Sequence, residues 1–327
     1  MRHPIKYAAR GHHSLHTCRN KDDFLAGFQK TCGCQIVAVI SQFVPLEFVS
    51  GAVLVGSIPL GIGTEMSDID IIVLLASADQ VDWIEDATRG PAEIVFAGKA
   101  AGEGGHLAVG EAVVLLNGVE VNLQFVLGPR VKETSDRLAV GRISLTQADV
   151  MVLSRLRTGW LLIRSPNLPS DDAAQLVDEA LDVHWAVTML VFALGDLEDA
   201  RAALADDRVV VYHLGRTAVE KSFTAYFASR GHAFIGTKWL RFLRLQLERG
   251  GDGEDDRDLR ALSSAGMSLL FPTPLNDPTA AADYLESVAA FYGNVRTRIE
   301  RHVTYAAAVA LCPQIYDLMP LERLDRA

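Results

Sequence analysis

Four cysteines in 327 residues are too few for a disulfide framework. Cys18, Cys32, Cys34 and Cys312 read as reduced thiols. Cys32-Gly33-Cys34 has no second ligand pair at zinc-site spacing, and His12, His13, His16 and Cys18 read as a His-rich surface arm rather than a metal site. Cationic charge is also short. Lys and Arg number 31 against 41 Asp and Glu, a net charge of −10. That argues against nucleic acid as a partner, because such binding needs a basic face to release counterions. Long apolar runs are missing too. The most apolar stretch, residues 36–58, is broken by Gln42, Pro45 and Glu47, whereas a bilayer span needs ~20 nearly uninterrupted apolar residues. The first fifteen residues carry basic side chains with no apolar run behind them. A cytoplasmic protein with no membrane partner is expected. No G-x-x-x-x-G-K-[ST] segment occurs, which removes a P-loop kinase or ATPase.

What is present is core material. With 49% hydrophobic and 22% charged residues, wholesale disorder is excluded. The length predicts about two domains. The apolar spacing predicts a helix over 22–43 and a buried strand at 52–55. A turn-rich segment follows, then a strand over 68–75 and a short helix over 79–87. Asn117-Gly118 between two apolar runs predicts a hairpin, since both residues tolerate positive φ. After about residue 146 strand signals fade. Helical patterns run over 146–162, 172–200, 210–230, 237–249 and 279–311, and the acidic stretch 250–256 reads as a solvated loop. The expected organisation is an α/β domain over 1–145 and a helical domain over 146–327.

The chemistry concentrates in Gly56-Ser57, ten residues, then Asp68-Ile69-Asp70. Gly56 ends a strand and lets the backbone approach a ligand closely. Ser57 sets a hydroxyl and an N–H where a phosphate could sit. Asp68 and Asp70 are two apart on a strand, so both carboxylates point to one face. Side by side they repel, and a divalent cation resolves the conflict. Oxygen ligands completed by phosphate and water suit Mg²⁺.

The segment VLVGSIPLGIGTEMSDIDIIVLL, residues 53–75, resembles the signature of the DNA polymerase β-like nucleotidyltransferase superfamily. The shared pattern is strand, Gly-Ser, a spacer of about ten residues, then Asp-x-Asp inside an apolar strand, with Ser67 completing the common Ser-Asp-Ile-Asp form. The resemblance implies an α+β protein: an N-terminal nucleotidyltransferase fold, a mixed sheet with flanking helices, and a C-terminal all-helical bundle. It implies a third carboxylate on a later strand. Glu120, just past the Asn-Gly turn, fits that place, with Glu111 and Glu93 as alternatives; many relatives carry Asp there.

The resemblance further implies one or two Mg²⁺ ions on Asp68, Asp70 and Glu120, with an NTP as substrate and its phosphates on Gly56, Ser57 and Ser67. Arg216, Lys221 and Lys238 are the candidate cations for the triphosphate in the second half of the chain. The two-domain order is similar to the kanamycin- and lincosamide-type antibiotic nucleotidyltransferases, which hold a small acceptor between domains, often with a dimer mate. The expected activity is transfer of an NMP, AMP foremost, to a small molecule with release of pyrophosphate. The alternatives are the same transfer to tRNA or protein, and an inactive module that only binds nucleotide.

Overall fold

A computed structural model describes residues 15, 17–64, 67–77, 84, 87, 90–99, 107–140, 145–165, 173–233, 238–250, 253–272, 278–301 and 303. Contacts divide the chain into two compact units, Met1–Asp136 with Leu145–Asp178 and Arg137–Ser144 with Glu179–Ala327.

The first unit begins with helix α1 (Lys21–Cys32) and the short helix α2 (Ile36–Ile40). Asn20 caps α1, its side chain accepting from the Asp23 N–H at 2.9 Å. The single helix expected over 22–43 is therefore two. Gly33 adopts φ 74° and its N–H reaches the Gln29 carbonyl at 3.0 Å, which ends α1 with a left-handed cap. Strands β1 (Val49–Val55), β2 (Ile69–Leu75), β3 (Glu93–Lys99), β4 (Ala108–Leu116) and β5 (Val119–Leu127) follow. Helix α3 (Gly128–Ala139), helix α4 (Gln147–Arg157) and strand β6 (Trp160–Arg164) come next. The strand order is β3-β4-β5-β2-β1-β6. Only β2 and β5 run parallel; every other neighbouring pair is antiparallel.

Three of these elements depart from the expectation. Strand β3, helix α3 and strand β6 were not anticipated, and β6 falls where helix was expected to continue to 162. Thr158 and Gly159 end α4, and a Cβ on Gly159 would lie 2.7 Å from the Leu54 carbonyl, so the chain must pass that close to β1 before it pairs with it. The expected helix over 79–87 lies almost wholly outside the described residues, as do His12, His13, His16 and Cys312.

The hairpin between β4 and β5 forms as expected. Asn117 and Gly118 take φ 51° and 83°, the pair of positive values a tight two-residue turn requires. The Asn117 amide donates to the Cys32 carbonyl at 3.0 Å, tying the turn to the end of α1. One face of the sheet is core: Ile69, Ile71, Val73 and Leu75 of β2 and Val121, Leu123 and Phe125 of β5 are buried with Phe24, Phe28 and Ile40 of the helices. The residues between them, Asp70 and Ile72 on β2 and Asn122 and Gln124 on β5, face the other way.

The second unit is helical throughout its described residues: α5 (Ala180–Ala203), α6 (Arg208–Ala228), α7 (Lys238–Arg249), α8 (Glu254–Leu270) and α9 (Pro278–Glu300). The acidic residues Glu254, Asp255 and Asp256, expected in a loop, open α8, where carboxylates favour the positive end of the helix dipole. Helix α5 is long and apolar enough to cross a membrane by composition, but 67% of that window is buried inside the protein, as in the central helix of a bundle. A mixed sheet with flanking helices, followed by a helical unit, is the α+β class expected.

Candidate active site

Strand β1 ends at Gly56, whose φ is 85°. A Cβ there would lie 2.5 Å from Asp70 Oδ2, so only glycine lets the turn pass this close to the carboxylate. The turn continues through Ser57, whose carbonyl accepts from the Ile62 N–H at 3.0 Å. Ser67 closes the loop before the acidic pair. Its Oγ accepts from the Thr64 N–H at 2.9 Å, and its own N–H donates to the Thr64 carbonyl at 2.8 Å.

Asp68 is exposed and Asp70 half-buried on a strand otherwise fully buried. Asp70 pairs in register with Val55 on one side and Asn122 on the other. The Asn122 Nδ2 donates to both carboxylates, closely to Asp68 Oδ2 and at 3.4 Å to Asp70 Oδ1. One amide thus offsets the repulsion between two like charges.

Continuing the β2–β5 register by one residue from Ile69–Val121 sets Glu120 beside Asp68. Among the described residues, however, no three Asp, Glu, His or Cys side chains gather at metal-binding spacing. Asp68 and Asp70 come together; Glu120 does not close a triad with them.

A pocket of about 290 Å³ opens on this face, lined among others by Asp68, Asp70, Asn122, Gln124, Glu111 and Arg155. Glu111 lines it and Glu120 does not. In the register Glu111 pairs with Gln124, and Glu120 pairs with Leu115 at the Asp68 end of the strands. Arg155 escaped sequence inspection. It looks like an ordinary polar position between Leu153 and Leu156 on an amphipathic helix, and nothing local says that α4 belongs with the Asp70 face.

The pair offers hard oxygen donors, and rotating the Asn122 amide would add its oxygen. That set fits a cation such as Mg²⁺ that draws its other ligands from phosphate and water.

The candidate cations of the second unit have partners within it. Arg216 Nε pairs with Glu220 Oε1 at 3.0 Å, and Lys221 Nζ with Asp196 Oδ2 at 2.6 Å. Lys238 begins α7, and its side chain lies outside the described atoms.

No family model matches this chain, and no curated protein matches it. A solved structure of a nucleotidyltransferase-like protein from Exiguobacterium sibiricum is similar over 85% of this chain and 80% of that one, with 14% identity and a TM-score of 0.42. A likeness this distant says nothing of the reaction.

Proposed function

We propose that this chain is a metal-dependent nucleotidyltransferase that moves an NMP, with ATP as the donor, from an NTP to a small-molecule acceptor and releases pyrophosphate. One observation carries the reading. Asp68 and Asp70 stand on one face of β2 at a polar pocket, with Gly56 closed against Asp70.

Asp68 and Asp70 would hold Mg²⁺. When bound, the ion supplies positive charge that neutralises the phosphates and stabilises the leaving pyrophosphate. The chain's own groups do the rest. The Gly56–Ser57 turn receives the β- and γ-phosphates, with the Ser57 hydroxyl as a donor to them. Ser67 fixes the loop that presents Asp68. A carboxylate takes the proton from the acceptor hydroxyl; Glu120 beside Asp68 and Glu111 in the pocket are the two groups to separate.

A second reading has one observation in its favour. Asn122 holds the two carboxylates together, and no third acid among the described residues joins them at metal-binding spacing, as a module that binds nucleotide and no longer transfers it would allow. Incubating the protein with each of four α-labelled NTPs, Mg²⁺ and cell extract separates the readings. Small-molecule transfer gives pyrophosphate and a metabolite heavier by one NMP. Label on RNA or protein bands assigns a macromolecular acceptor. Mg²⁺-dependent NTP binding with no pyrophosphate under any condition leaves the binding module.

A further inference from the structure

Arg155 shares a pocket with Asp68, Asp70 and Glu111, yet it makes no ion pair or hydrogen bond with any described residue. A guanidinium holds its charge and its five N–H donors throughout the physiological range. Beside carboxylates it normally collapses onto one of them in a two-pronged pair. Here the helix keeps it away. The Thr146 N-cap accepts from the Asp149 N–H at 3.1 Å, and Thr146 Oγ1 donates to Asp149 Oδ2 at 2.7 Å, which fixes the start of α4. Asp149 itself is buried and accepts from the Leu107 N–H at 3.0 Å. Val150, Leu153 and Leu156 are fully buried and lock the helix rotation. Arg157, two residues on, is spent on the Val177 carbonyl at 3.2 Å. Arg155 is therefore held by its helix without being used by the fold.

A second unmet group lies in the same pocket. Gln124 Oε1 is buried and has no hydrogen-bond partner. Buried polar atoms are nearly always paired, and the exceptions call for a ligand or a water. A cation without an anion on the pocket wall describes a ligand that is anionic there, and the unmet Gln124 oxygen belongs to a residue of the same lining.

We propose that Arg155 is the oxyanion-binding residue of this pocket, taking a phosphate or carboxylate group of a substrate beside the Asp68–Asp70 pair. This deepens the nucleotidyl-transfer reading and rests on it for what the substrate does next. The oxyanion has two sources: the triphosphate of the donor, or an acidic group on the acceptor. In either case Arg155 supplies the positive charge that the acidic face of the sheet lacks, and its fork orients a planar or tetrahedral oxyanion better than an ammonium would.

The test is calorimetric binding to wild type, Arg155→Met, Arg155→Lys and Asp70→Asn. The probes are inorganic tripolyphosphate, MgATP, adenosine, and inorganic phosphate added over saturating MgATP. Loss of one charge-assisted pair weakens binding by about tenfold or more. If the oxyanion is the donor's, Arg155→Met weakens tripolyphosphate and MgATP to that extent and leaves adenosine unchanged. If it is the acceptor's, MgATP binding is kept and the inorganic phosphate site is lost. Both results support the proposal and name the source. Wild-type affinity of Arg155→Met for every oxyanion probe overturns it, and so does a wild type that binds none of them. Should Arg155→Met fail to show a cooperative melt, Arg155→Lys carries the test, with several-fold weaker oxyanion binding expected and unchanged binding contradicting the proposal. The nucleotidyl-transfer reading fails separately, when Asp70→Asn binds MgATP as wild type does; inorganic phosphate and tripolyphosphate without metal still read Arg155 in that event.

Discussion

A Cβ on Gly56 would stand 2.5 Å from Asp70 Oδ2. The turn that ends β1 and the acid at the start of β2 thus occupy one another's space, and a side chain at 56 would displace the Asp70 carboxylate. Gly56→Ala meets two costs: a backbone held at φ 85°, worth about 1–2 kcal/mol for a non-glycine residue, and displacement of the Asp70 carboxylate. The variant is expected to melt lower by that amount and to lose nucleotide binding. Denaturant unfolding and calorimetry check both. Retention of full MgATP affinity would separate the turn from the site.

Asn122 is the second lever. Its amide bridges Asp68 and Asp70, and hydrogen bonds to charged groups contribute about 1.5–3 kcal/mol. Asn122→Asp removes the bridge and adds a third like charge in the same row. The metal-free variant should lose stability on that scale, and millimolar Mg²⁺ should restore most of it. Thermal melts with and without Mg²⁺ decide. A variant that Mg²⁺ does not rescue would mean that the pair does not hold a cation.

The proton acceptor is resolved by two substitutions. Glu111 lines the pocket, and Glu120 stands in the Asp68 row. General-base groups contribute about 10²–10⁴-fold. The true base, changed to Gln, should lose a factor of that order in turnover with little change in nucleotide affinity and a flattened acid limb of the pH–rate profile. The other change should leave the profile as it is. Equal profiles for both variants would remove carboxylate base catalysis from the account.

What was legible in the sequence was local. Gly56, Asp68 and Asp70 declare themselves within fifteen residues, because the turn, the alternation of a strand and the pairing of two acids are all short-range patterns. Asn117-Gly118 fixed the hairpin for the same reason. Gly33 was visible too, but a helix period continuing past it masked the left-handed cap. The parts that stayed hidden depend on distant contacts. Strand β6 forms because β1 offers it an edge, and no local pattern reveals that. Arg155 has the spacing of a surface residue, and its place in the pocket comes from the way α4 packs with the sheet. Glu120 follows the turn and falls beside Asp68 in the register, whereas the place of Glu111 in the pocket depends on a strand pairing that no local pattern reveals.

The thiols give a prediction independent of the site. Burial, with the neighbouring Cys34 charge second, pushes Cys32 up to about 12. The native protein keeps that proton while the unfolded chain releases it near pH ~8.5. The unfolded state then binds fewer protons, so stability falls as pH rises from about 8.5 towards 12. Cys32→Val should show a shallower decline over that window in pH-resolved denaturant titrations, and native Cys32 should resist alkylation near neutral pH. Rapid alkylation of Cys32 in the folded protein would contradict its burial.

On the proposed reading, nucleotide transfer depends on a metal ion held by Asp68 and Asp70. The most direct measurement is Mg²⁺-dependent ATP binding and pyrophosphate release by wild type and Asp70→Asn, with thermal melts of both. The account predicts Mg²⁺-dependent binding in wild type and a loss of at least about a hundredfold in release for the variant, the scale on which a single transition-state-stabilising group is missed. It also predicts an apo melting temperature no lower than wild type, since Asn relieves the repulsion with Asp68. Near-normal release by Asp70→Asn, or ATP binding indifferent to Mg²⁺, would contradict it.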